Sequence, residues 1–83
     1  MTPADKRRYL VVYDYGMGGL WGLLWARSEA DISIRYPELT VVDARPAWMS
    51  PEDFARIERL DTYDIDDAPA GMLRAVVADR AAD

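Results

Sequence analysis

Cysteine, histidine, asparagine and glutamine are absent from this 83-residue chain, and lysine occurs once, at position 6. Without cysteine there is no disulfide, no thiol nucleophile and no thiolate to hold zinc. Without histidine, no side chain titrates near neutrality at its ordinary pKa, which removes the commonest general base and metal ligand. Only three serines are present. Ser28 and Ser50 are better explained as helix caps, and Ser33 falls inside a helix. The sequence therefore disfavours an enzyme and points to no cofactor and no metal. Long apolar runs are also missing. Tyr9–Val12 follows the basic Lys6-Arg7-Arg8 but is too short for a signal peptide, and nothing approaches membrane-spanning length. The expected location is the cytoplasm.

What remains is apolar, aromatic and acidic. About half of the residues are hydrophobic (51%), too many for a disordered segment, and the length suits one domain with a modest core. Residues 1–7 read as a flexible tail and residues 8–83 as a single globular domain. Net charge is −5, spread as +2 over residues 1–27, −3 over 28–60 and −4 over 61–83. An acidic surface repels phosphate backbones, so nucleic acid is not an expected partner, whereas a basic protein is. Nine arginines against one lysine, with abundant alanine and aspartate, match the codon usage of a GC-rich genome. That pattern lowers the functional weight of any single arginine.

The pattern of residues predicts an α+β fold in the order β-β-α-β-α-(β)-α. Tyr9–Tyr15, rich in β-branched and aromatic residues, reads as a strand, the glycines at 16, 18 and 19 as a turn, and Leu20–Arg27 as the returning strand of a hairpin. Ser28-Glu29-Ala30-Asp31 has the form of a capping box. It opens a short helix that Pro37 ends, although Ala30, Ile32, Ile34 and Tyr36 also alternate with the period of a strand. Leu39–Ala44 is the third strand. Ser50 and Pro51 open a second helix, with Met49 and Phe54 placed as a hydrophobic staple and Phe54, Ile57 and Leu60 as a buried stripe. The acidic stretch Asp61–Asp67 leaves room for a short fourth strand at Tyr63–Ile65. A last helix is expected from Asp67–Pro69, with Asp67 as cap and Met72, Leu73 and Val76 facing inward.

Three groups of residues are candidates for function. Along the hairpin, side chains alternate between faces, so Tyr9, Tyr13 and Tyr15 share one face of the first strand and Trp21 and Trp25 one face of the second. If the register superimposes those faces, the five rings form a belt. Tyr and Trp are enriched at interfaces, and such a belt would serve self-association, a homodimer included; the bland alternative is an ordinary core. The second group is Asp14, Gly16 and Gly18 of the turn with Arg45 and Trp48, a possible ligand pocket in which a buried Asp14 would act as base beside Tyr13. The glycines do not complete a dinucleotide fingerprint, because the third required position is Trp21. The third group, Asp61, Asp64, Asp66 and Asp67, suggests an acidic patch for a basic partner, as in an inhibitor or immunity protein. It fails as a calcium loop, since Tyr63 and Ile65 occupy ligand positions. The leading expectation is a small protein–protein interaction module.

Tyr9–Gly16 followed by Trp25-Ala26-Arg27-Ser28 and Tyr36-Pro37-Glu38-Leu39 resembles a group of short actinobacterial proteins. The resemblance covers the first half of the chain and implies no activity, cofactor or binding residue.

Overall fold

A computed structural model describes residues 5–14, 16 and 18–82. It contains β1 (Arg7–Asp14), β2 (Gly19–Ala26), α1 (Glu29–Arg35), β3 (Leu39–Val42), α2 (Pro51–Leu60), β4 (Thr62–Asp64) and α3 (Met72–Ala82). The α+β class and the element order are those expected. The four strands form one mixed sheet in the order β3-β1-β2-β4, with β1 antiparallel to both neighbours and β2 parallel to β4. β1 opens at Arg7, so the sheet begins inside the segment read as a tail.

Strands β2, β3 and β4 all run in one direction, which makes β2-α1-β3 and β3-α2-β4 parallel crossovers. The first carries the chain one way across the sheet and the second carries it back. Crossovers of one hand moving in opposite directions must lie on opposite faces. Accordingly α1 and α3 cover one face and α2 the other. On the first face, Val11, Leu24, Ala26 and Leu39 pack with Ile32 and Tyr36 of the α1 region, Ile65, and Met72, Leu73 and Val76 of α3. On the second, Leu10, Leu23 and Met49 are buried outside that cluster, against α2.

Capping explains why the helices start where they do. Ser28 Oγ accepts the Asp31 amide at 3.1 Å and Ser50 Oγ accepts the Asp53 amide at 3.1 Å, each satisfying a donor the helix cannot. The conflict in α1 resolves as a helix: Ile32 and Tyr36, one turn apart, are buried, while Ile34 is 83% exposed.

Two expectations fail. Phe54 and Ile57 are only half-buried and Leu60 is exposed. Each three-residue step falls about 60° short of a full turn, so Leu60 lies about 120° around the helix from Phe54 and leaves the sheet-facing side. The last helix begins at Met72 instead of near Asp67, and Asp67 caps nothing; its amide donates to the Asp64 carbonyl at 3.0 Å. The chain first has to bury Ile65 and pass Tyr63. A side-chain carbon at Gly71 would stand 2.1 Å from the Tyr63 hydroxyl, and its φ of +53° favours glycine as well.

Tyr36 is almost wholly buried, its ring lies 5.6 Å from the Arg80 guanidinium carbon, and its hydroxyl has no hydrogen-bond partner among the described residues. An unsatisfied buried hydroxyl costs stability. Tyr36→Phe is therefore expected to raise unfolding free energy by about 1 kcal/mol in urea titration; a loss of stability would contradict the assignment.

Candidate functional site

A concave surface lies where the hairpin outruns its neighbour. β2 has eight residues and β4 three, and their pairing covers only Leu23–Trp25. The Leu23 amide donates to the Asp61 carbonyl at 2.8 Å and the Trp25 carbonyl accepts from the Ile65 amide at 3.0 Å. The odd-numbered residues of β2 thus turn their peptide groups outward. The ladder stops at Asp61 because the next donor, the Asp61 amide, bonds instead to the Ile57 carbonyl at 2.7 Å as it closes α2. Trp21 and Gly19 are left with outward peptide groups that no strand meets among the described residues.

A cleft of about 580 Å³ opens beside that edge. Met49, Ile57 and Met72 give it an apolar lining, and Ala75 and Gly71 form the side toward α3. Trp21 and Trp48 stand together in its wall, ring centroids 5.3 Å apart and planes at 73°, an edge-to-face pair. Trp48 is nevertheless 66% exposed. Polar groups are few: Asp53, paired with Arg56 at 3.2 Å, and Asp61, whose Oδ1 accepts the Tyr63 hydroxyl at 2.9 Å. Burial, then that bond to Asp61, raises the Tyr63 pKa. Among the described residues, no serine, threonine or lysine lines the cleft. The arrangement suits reversible binding of an apolar or aromatic group beside a cation.

The register separates the two sets of hairpin aromatics. Tyr9 pairs with Leu24 and Tyr13 with Leu20, whereas Trp21 pairs with Val12 and Trp25 with Arg8. Tyr9 and Tyr13 therefore face α1 and α3, packed against the main core, and Tyr13 also donates to Asp79 Oδ2 at 2.6 Å. Trp21 and Trp25 face the α2 side, with the Arg8 guanidinium 5.9 Å from the Trp25 ring centre. The joint belt does not form, and Tyr15 lies outside the described residues.

The turn-and-loop group is likewise dispersed. Asp14 is exposed, and its Oδ1 accepts the Gly16 amide at 2.8 Å, a local turn bond. Gly16 and Gly18 have φ of 91° and 146°, as a hairpin turn requires. Together with Asp14 they border a shallow depression under Val12 and Thr40. Arg45 donates to the Met49 carbonyl and lines a different crevice, with Arg7 and Arg8, while Trp48 belongs to the cleft. Asp14, Arg45 and Trp48 thus line three different depressions.

Most of the acidic group is occupied internally. Lys6 Nζ, on a side chain only 9% exposed, lies 2.6 Å from both Asp64 and Asp66, and Arg27 lies 2.6 Å from Asp66. Asp67 alone of the four has no side-chain bond among the described residues. No group of three or more acidic side chains able to hold a metal ion occurs among the described residues, and no helix is long and apolar enough to cross a membrane. Of the residues lining the cleft, the sequence marks Trp21, Trp48 and Asp61 as functional candidates and Met49, Ile57 and Met72 as core residues, whereas Asp53, Arg56, Gly71 and Ala75 carry no functional signal in it. The one local hint was a tryptophan directly before the staple residue Met49.

No protein-family model matches the chain, and no curated protein or solved structure is significantly similar to it.

The Arg27 guanidinium, then the Lys6 ammonium, holds the Asp66 carboxyl down to about 2 from an ordinary 3.8, and Lys6 lowers Asp64 as well. A carboxyl depressed by folding stabilises the fold above its unfolded pKa and stops doing so as pH falls through the folded value. Asp66→Asn is therefore expected to lower the urea midpoint at pH 7, with the gap from wild type closing between pH 4 and pH 2. A gap that stays constant across that range would show that the ion pairs contribute nothing.

Proposed function

We propose that the chain is a small cytosolic interaction module that binds a segment of another protein in the Trp21–Trp48 cleft. The observation that carries this reading is Trp48. A large ring two-thirds exposed leaves most of its apolar surface in water, yet this one is oriented by edge-on packing against Trp21 over an apolar lining, a surface suited to being covered by a partner. Tryptophans in such settings supply a large share of the binding energy at protein interfaces. The absence of histidine and cysteine and the scarcity of polar lining favour binding over chemistry.

Two neighbouring readings have less support. A small-molecule site would fit the volume, but such sites converge several polar groups on the ligand, and here Asp53 and Arg56 satisfy each other. An acidic inhibitor using Asp61, Asp64, Asp66 and Asp67 would find the charges of Asp64 and Asp66 already paired with Lys6 and Arg27. Self-association through the tyrosine–tryptophan belt lacks the belt; a second copy could still enter the cleft.

Affinity capture with wild type, Trp48→Ala and Trp25→Ala tests the proposal. A partner held by wild type and by Trp25→Ala, and at least about tenfold weaker with Trp48→Ala, is expected for loss of a central anchor. Equal retention by all three proteins contradicts it. Light scattering on the same samples identifies the partner as a second copy if wild type is dimeric and Trp48→Ala is not.

A further inference from the structure

The cleft has a property that a plain hydrophobic pocket lacks: one side of it is an unfinished sheet. β4 starts only at Thr62 because the Asp61 amide is committed to α2, and ahead of that point Trp21 and Gly19 turn an N–H and a C=O each toward the cleft. Backbone groups of this kind are strong hydrogen-bonding sites that only another extended backbone satisfies in sequence. Gly19 and Leu20 are exposed, so the edge is accessible, whereas Gly22 is closed off by Met72, Asp61 and Tyr63. The open stretch, Gly19–Trp21, measures about 10 Å, the span of three extended residues.

Resting on the interaction-module reading, we infer that the cleft takes a basic, extended segment of a partner protein, which adds to β2 as a short strand in line with β4. Its backbone bonds the peptide groups of Trp21 and Gly19. One apolar or aromatic side chain enters between the Trp21–Trp48 pair and the Met49–Ile57–Met72 lining, as alternate side chains do in strand addition. Charge selects the flanks: Asp53 and Asp61 face the cleft against the single Arg56, which is tied to Asp53. The walls are thus one unit negative on a chain of net charge −5, so lysine or arginine beside the anchor is favoured and acidic flanks are repelled.

The test uses the full chain, ¹⁵N-labelled, and a pool of end-blocked pentapeptides with lysine at both ends and all residue types at the three inner positions. Strand addition predicts that selected peptides move the Gly19 and Trp21 amide resonances downfield together with the Trp48 indole. Replacing the terminal lysines by glutamate should weaken binding about fivefold, with the difference shrinking in high salt. N-methylation of the bound peptide discriminates further. Only alternate peptide N–H groups face β2, so methylating one alternate set should weaken binding about tenfold while the other set binds like the parent. If the Trp48 indole moves but both methylated forms bind equally, strand addition is wrong and side-chain docking stands. If no pool member binds although Trp48-dependent capture of a partner persists, the extended-segment inference fails and the interaction reading survives it.

Discussion

The antiparallel register of β1 against β2, in which Val12 stands opposite Trp21 and Tyr9 opposite Leu24, decides the rest of the molecule. Side chains alternate along a strand, so a slip of one residue would exchange the two faces of one strand relative to the other. In the observed register Tyr9 and Tyr13 join Leu24 and Ala26 on the face packed by α1 and α3. Trp21, Leu23 and Trp25 join Leu10 and Val12 on the face that α2 covers in part. The turn between Asp14 and Gly19 supports this pairing through the Asp14–Gly16 bond and two glycines at positive φ. Core and cleft are consequences of one choice of partner residues.

From that hairpin the crossovers follow. The chain leaves β2, passes under α1 to β3, then returns across the sheet with α2 to β4. The reversal places α2 on the face opposite α1 and α3, and it brings the end of α2 directly to the free edge of β2. The closing turn of α2 needs the Asp61 amide, so β4 starts too late to pair with Trp21. A helix cap thereby creates the opening. The ion pairs of Lys6, Arg27, Asp64 and Asp66 tie the start of β1 to the turn after β4, near the far end of the hairpin. They account for much of an acidic stretch that looked like a surface for something else.

Local signals in the sequence carried the fold a long way. Ser28 and Ser50 marked two helix starts, Pro37 marked an end, and the glycine turn marked the hairpin, because each rests on backbone chemistry that acts within a few residues. Met72, Leu73 and Val76 were legible as an inner face for the same reason. What was not legible depends on contacts between distant residues. Register separates the tyrosines from the tryptophans, and nothing within either strand specifies it. Asp67 looked like a cap because Pro69 follows, but the burial of Ile65 and the ring of Tyr63 postponed α3. Arg45 and Asp14 were plausible neighbours in sequence terms, yet they lie at different places on the sheet. The cleft itself was hidden, since Trp21, Trp48, Ile57 and Met72 come from four segments.

Along β2 the peptide groups alternate: even residues bond to β1, Leu23 and Trp25 bond to the β4 side, and those of Trp21 meet no partner among the described residues. Amide hydrogen exchange of the free chain reads that pattern directly. The Trp21 amide should exchange at close to the unprotected rate, while the amides of Gly22, Leu23 and Leu24 are protected by orders of magnitude. A Trp21 amide as slow as its neighbours would mean that the edge is already paired, and the cleft would lose its defining side.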